Sequence, residues 1–147
     1  MAQTGRLTVA VEDYAKAIYT LEEREGSAST NAIAALLGVK PGSVSGMLRK
    51  LSGLGLVEHE PYRGVRLTER GRRVALEVIR HHRLLELFLV ENLGMTEDEV
   101  RAEAEVLEHA LSEQLEELIA RKLGDPTVDP HGDPIPSREL TLPRQAG

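Results

Sequence analysis

The sequence predicts a mainly α chain: an N-terminal winged helix-turn-helix with a small β-hairpin wing, followed by a second, helical domain. Three observations predict it. Apolar residues recur at helical spacing in six segments. One Pro/Gly turn between two short alternating segments interrupts them, the mark of a hairpin. The charge is divided along the chain. Of 147 residues with a net charge of −6, residues 27–73 carry eight basic and three acidic side chains, while residues 74–147 carry seven and sixteen. A basic block on an acidic body suits contact with phosphates through one face only.

Each element has its own start and stop signals. The first helical pattern begins at Thr8, carries Val11, Tyr14, Ile18 and Leu21, and stops at Gly26. Ser29 or Thr30 caps a short second helix with Ile33, Leu36 and Leu37, ended by Gly38. Gly38 to Gly42 reads as a turn because Pro41 and Gly42 break the pattern. Ser43 then caps a third helix through Val44, Met47, Leu48 and Leu51, ending near Gly53 or Gly55. Leu56–Glu60 and Val65–Leu67 flank Pro61-Tyr62-Arg63-Gly64 as the hairpin. Thr68 caps a long fourth helix, roughly 69–93, closed by Gly94. Thr96 and Glu99 form a capping box for a fifth. Ser112 caps a sixth, with Leu115, Leu118, Ile119 and Leu123 as its stripe. Residues 1–7 read as a loose arm, and from Gly124 the chain turns to Pro-rich loop.

Composition narrows the chemistry. Hydrophobic residues make up 41% and aromatics only 3%, so the core is built from Leu, Val, Ile and Ala. There is no cysteine, which excludes disulfides and thiolate zinc sites. Any metal must be held by His and carboxylates, a donor set suited to manganese or iron. No stretch approaches a membrane span and the N-terminus lacks a signal pattern. A cytoplasmic protein without a membrane partner is expected.

The order helix, Gly-containing turn, helix, hairpin places the third helix as the one that enters a major groove near its N-terminus. That end offers Lys40, Ser43, Ser45 and Arg49, with Lys50 behind them, and the hairpin adds Arg63 and Arg66. The hydroxyls suit phosphates or base edges, and the cations suit phosphates. Gly46 leaves one surface slot empty, which favours reading of DNA shape.

The acidic body holds a different constellation. His82 and Glu86 are four residues apart on one face of the fourth helix, with His82 inward among Val78, Leu85 and Leu89. Glu105, Glu108 and His109 sit at i, i+3 and i+4 on the fifth, beside an apolar stripe of Val100, Ala104, Leu107 and Leu111. An inward His opposite a Glu-Glu-His cluster makes an oxygen/nitrogen cage for a divalent cation. Singly, each residue is as well explained by a hydrogen-bonded core His or a solvated acidic helix.

Several stretches then coincide with a known pattern: Val11-Glu12-Asp13-Tyr14, Val44-Ser45-Gly46-Met47, Tyr62-Arg63-Gly64, His81-His82-Arg83-Leu84-Leu85-Glu86, Glu105-Val106-Leu107-Glu108-His109, and Pro130 to Pro136. In this order they resemble the diphtheria toxin repressor family of metalloregulators, and more closely its manganese transport regulator branch. The resemblance runs from about Val11 to Pro136. It implies a winged helix-turn-helix DNA-binding domain over 1–73, a helical metal-binding and dimerisation domain over 74–136, and a tail or truncated linker over 137–147 toward an SH3-like domain that many relatives carry. It implies a metal-dependent repressor, not an enzyme, that binds double-stranded operator DNA as a homodimer, controls metal homeostasis genes and takes no small-molecule substrate. Asp13, His82, Glu105, Glu108 and His109 match the primary metal ligands. Glu86, Asp129 and His131 match a second site. Asp13 and Glu105 stand where iron-sensing members carry sulfur ligands, which makes Mn²⁺ the expected metal and Fe²⁺ the alternative. Lys16 replaces a Glu frequent in the manganese branch, so one metal per primary site is expected. Arg101 replaces an ancillary His of the iron branch.

Two rival readings remain open at this point. One is a winged-helix regulator indifferent to metal. The other is a helical carboxylate metalloenzyme, which wants Glu-x-x-His on each of two helices; here Glu105 is followed at i+3 by Glu108, and no second matching helix exists.

Overall fold

The computed structural model describes residues 7–143. The expected arm over 1–7 therefore lies almost wholly outside the described residues, as do the last four residues of the expected tail. The elements run α1 (Val9–Glu25), α2 (Thr30–Leu37), α3 (Pro41–Gly53), β1 (Val57–Glu60), β2 (Gly64–Leu67), α4 (Glu69–Leu93), α5 (Glu97–Leu107) and α6 (Glu113–Lys122). They fall into two compact units that divide between Ala75 and Leu76.

In the first unit, α1 starts because the Thr8 hydroxyl accepts from the amide of Val11, and it ends because Gly26 takes the left-handed conformation. Ser29 caps α2 in the same way, through the amide of Ala32. The third helix differs from the sequence reading. Pro41 and Gly42 do not form a turn before it but are its first two residues, with Lys40 at the N-cap. Proline fits there because the first helical amide has no intrahelical partner and the ring pre-sets φ. The strands pair antiparallel, with Val57 opposite Leu67 and Glu60 opposite Gly64. Tyr14, Ile18, Ile33, Val44, Leu51, Leu56 and Val65 form the core. Leu36, expected in the stripe of α2, is exposed, and Ala34 is buried instead.

Two close approaches lock this unit. Gly64 has φ +106, and a Cβ there would lie 2.1 Å from the Ala28 carbonyl oxygen. That carbonyl accepts from Val65 at 3.0 Å and joins the wing to the loop before α2. A Cβ on Gly71, in the first turn of α4, would lie 2.0 Å from the carbonyl of Leu56. Only glycine permits backbones to come so near.

In the second unit, Leu84, Leu85, Ala104, Leu111, Ile119, Ala120 and Ile135 pack together. Thr96 caps α5 through the amide of Glu99 and donates its hydroxyl to the Glu99 carboxylate. The helix ends at Leu107, so Glu108 is its C-cap and His109 lies just beyond, rather than both standing on α5. Ser112 caps α6 through the amide of Leu115. Of the stripe expected on α6, Leu115 and Leu118 are half exposed, while Ile119, with Ala120 beside it, carries the buried face. After α6, Val128 bridges Pro134 and Ile135 donates to Thr127, closing a loop that contains Asp129 and His131.

Candidate metal centre and nucleic-acid interface

The second unit gathers carboxylates and imidazoles along one line. Glu108, the C-cap of α5, is 2% exposed. Its Oε2 lies 2.6 Å from His82 Nδ1, and its Oε1 lies 3.5 Å from His109 Nε2. The other ring nitrogen of His82 lies 3.3 Å from Glu86 Oε1, the i+4 relation expected on α4. Glu86 Oε1 in turn lies 3.8 Å from His131 Nδ1, which is 3.9 Å from Asp129 Oδ2. Asp129 is held by its own loop: its Oδ1 accepts from the amides of His131 and Asp133, both at 2.8 Å. Arg83 donates to the carbonyl of Pro134 and ties that loop to α4.

Glu86, Asp129 and His131 therefore each offer one donor atom to a common point, all within 4.8 Å of one another. Glu86 Oε2 is buried and has no hydrogen-bond partner among the described residues. A buried carboxylate oxygen left unpaired is costly. A divalent cation satisfies it, and an oxygen/nitrogen donor set without sulfur suits Mn²⁺ or Fe²⁺. On this test the residues fit a metal. Burial alone would raise the Glu86 carboxyl. The hydrogen bond and charge of His82, with the charges of His131 and Arg101, outweigh that and hold it below its ordinary value.

The remaining sequence candidates divide. Glu105 is exposed on α5, one turn before the buried Glu108. Asp13, in the first unit, is half-buried on α1.

The sequence reading missed a second polar cluster beside the first. Burial disfavours charge on His81, but the hydrogen bond and charge of Glu116, helped by the Glu108 carbonyl, raise its pKa above the ordinary value. Burial would likewise raise Glu116, yet His81 and Arg80 hold it low. Arg80 and His81 are flanked by buried Val78, Ile79, Leu84 and Leu85. Charged residues inside an apolar run were the available signal.

In the first unit, Lys40, Ser43, Ser45, Arg49 and Lys50 are all exposed along α3, and Arg63 and Arg66 are exposed on the wing. Ser45 turns its hydroxyl back onto the Pro41 carbonyl at 3.3 Å. A cleft of about 320 Å³ between α3 and the wing is lined by Thr30, Ser45, Arg49, Ser52 and His59, among others. Arg49, Ser52 and His59 among them are exposed and can offer donors to a phosphate.

Comparison with known proteins now decides the family. Residues 6–65 match the iron-dependent repressor N-terminal DNA-binding domain, and residues 68–137 match the iron-dependent repressor metal-binding and dimerisation domain. The chain belongs to the iron-dependent repressor family. This is a family of DNA-binding, metal-dependent repressors and not of enzymes, which removes the metalloenzyme reading. The iron-dependent repressor IdeR of Mycobacterium tuberculosis is 38% identical over 132 residues, covering 90% of this chain and 57% of IdeR. The transcriptional regulator MntR of Oceanobacillus iheyensis is 39% identical over 105 residues, covering 71% of each chain. Among solved structures, a manganese-dependent transcriptional repressor in complex with manganese superposes with a TM-score of 0.85 at 48% identity, covering 92% of this chain and 62% of that one. The chain thus spans a little over half of IdeR and under two thirds of that repressor. Manganese and iron both occur among the metals its relatives are named for. No helix among the described residues is long and apolar enough to cross a membrane.

Proposed function

We propose that this chain is a divalent-metal-dependent transcriptional repressor, with Mn²⁺ as its expected corepressor and Fe²⁺ as the alternative, acting on operator DNA as a homodimer. The observation that carries this reading is the line Glu108–His82–Glu86–His131–Asp129, whose three carboxylates are buried and include one unpaired oxygen. His82, Glu108 and His109 would hold the primary metal. Asp13 and Glu105 are its further ligands on the strength of the family resemblance. Glu86, Asp129 and His131 would hold a second ion. A bound metal would supply positive charge that compensates the buried carboxylates of Glu86, Glu108 and Asp129.

The residues' own tasks follow from where they sit. His82 bears on both groups, since its two nitrogens face Glu108 and Glu86. The loop amides fix Asp129, so that its Oδ2 stays turned to His131. Lys40, Arg49, Lys50, Arg63 and Arg66 attract phosphates, while Ser43 and Ser45 reach groove edges or backbone. Leu115 and Leu118, half exposed on α6, and Val106, 71% exposed on α5, offer the apolar surface a two-fold dimer would cover. Metal and DNA binding are then linked, and the coupling is reciprocal: operator DNA tightens metal binding by the same factor that metal tightens operator binding.

The test is operator affinity measured across Mn²⁺, Fe²⁺, Zn²⁺ and Mg²⁺ with a chelator control. Tight binding with Mn²⁺ or Fe²⁺ and weak binding with chelator is expected. Operator binding that chelator leaves unchanged would return the metal-indifferent winged-helix reading.

A further inference from the structure

We propose that Arg80, His81 and Glu116 form a positioning network that sets the metal ligand Glu108, an inference that rests on the metal-binding reading above. The end of α5 supplies the need. Glu108 caps the helix, so the last carbonyls lack intrahelical donors. His81 Nδ1 meets the Glu108 carbonyl oxygen at 3.2 Å. Its other nitrogen meets Glu116 Oε1 on α6 at 2.8 Å. Both neighbours are acceptors, so the ring donates from both sides. Glu116 Oε2 accepts from Arg80 Nε at 2.6 Å, and Arg80 Nη1 donates to the Pro136 carbonyl at 2.8 Å.

The network therefore touches α4, the C-cap of α5, α6 and the far end of the loop that carries Asp129 and His131. Arg80 is 6% exposed and His81 7%. A buried ionic cluster of this kind is weak evidence for stability, because apolar residues of similar volume frequently stabilise as well or better. Its geometry has a different consequence. Glu108 must present its carboxylate to His82 and His109, and a metal ligand works only when held to within roughly 0.5 Å. The bond from His81 pins the backbone from which that carboxylate projects.

The experiment uses the full chain. Glu116→Gln keeps the shape of the side chain and places an amide donor against either Arg80 or His81, breaking one link. Mn²⁺ affinity is read from the electron paramagnetic resonance signal of free Mn²⁺, and the metal-free melting temperature is recorded beside it. Loss of a supporting partner of this kind typically weakens metal binding about 10- to 100-fold, and that range is expected for Glu116→Gln at temperatures well below melting. Glu117→Gln, next to it but exposed and paired with Arg138, serves as control and keeps wild-type affinity. Arg80→Lys, which retains the charge but forms fewer bonds, gives a smaller loss and covers the case in which Glu116→Gln fails to fold. If the wild-type chain binds Mn²⁺ and both variants bind it equally well, with only the melting temperature lowered, the network is structural and the positioning role is overturned. If the wild-type chain takes up neither Mn²⁺ nor, in anaerobic equilibrium dialysis, Fe²⁺, the metal-binding reading itself falls, and this inference with it.

Discussion

The two units use charge in opposite ways. In the first, the informative charges are cationic and exposed: Arg49, Lys50, Arg63 and Arg66 all face solvent. In the second they are mainly carboxylates and imidazoles, joined by the buried Arg80, with Glu86, Glu108 and Asp129 at 5% exposure or less. An exposed cation keeps its hydration and costs the fold little, so a basic surface can be tuned for phosphates without disturbing the core. A buried carboxylate has to be compensated inside the protein. The first unit thus displays its cations on the outside of an apolar core. In the second, the candidate site and the core compete for the same space, and each proposed ligand needs neighbours to hold it.

The largest expected effect breaks the second unit's side of this contrast. Glu108→Ala removes the carboxylate that faces both His82 and His109. Mn²⁺ affinity should fall well beyond the roughly 100-fold that loss of a mere supporting partner produces, and metal-dependent operator binding should disappear, while far-ultraviolet circular dichroism stays native. Retention of a metal response in Glu108→Ala would sink the ligand assignment. The counterpart in the first unit is Gly64→Ala. The new Cβ would meet the Ala28 carbonyl at a backbone φ of +106, a clash and a strain together, worth about 3 kcal/mol. Thermal unfolding of the variant measures it. Mn²⁺ affinity below the transition should be unchanged, which separates packing damage from site damage.

The same contrast explains what the sequence made legible. Helix ends were readable because caps are local: Thr8, Ser29, Thr96 and Ser112 each bond an amide three residues on. The wing was readable because a Pro/Gly turn between alternating segments has few other solutions. Pro41 misled, since proline both ends helices and begins them, and nothing local distinguishes the two. Glu86 and His82 were visible by i+4 spacing, and the histidine and aspartate of the later loop only through resemblance, since their separation in sequence hides their closeness in space. Arg80, His81 and Glu116 were invisible as a group. Their partnership is a product of how α4 and α6 pack, and no spacing rule links residues 80 and 116. The stripe of α6 was readable, but not which of its residues are buried, because periodicity reports amphipathicity and not what covers the apolar face.

Acid should sharpen the contrast by a smaller amount. Glu116 has its folded pKa held below the ordinary 4.5 by His81 and Arg80, against the push of burial. A depressed carboxylate contributes stability above its unfolded pKa and loses it as pH falls through the folded value. In chelator, the wild-type melting temperature should therefore decline on acidification below about 4.5, and Glu116→Gln should show a flatter acid limb. Equal acid limbs in the two proteins would mean that the pair contributes no linked stability.

The smallest effect is expected at the exposed cations. Arg63 is 69% exposed in its side chain and only 4.0 Å from Glu60 at its nearest approach, a pair worth little to stability. Arg63→Ala should leave melting and Mn²⁺ affinity unchanged. If the wing tip contacts a phosphate, operator affinity should drop modestly and equally for specific and unrelated sequences, and the slope of log affinity against log salt should fall by about 1. A drop confined to the specific operator, with the salt slope intact, would instead make Arg63 a reader of base edges. No change in either would leave the wing off the DNA and assign the phosphate contacts to α3, where Lys40, Arg49 and Lys50 can be tested by the same slope.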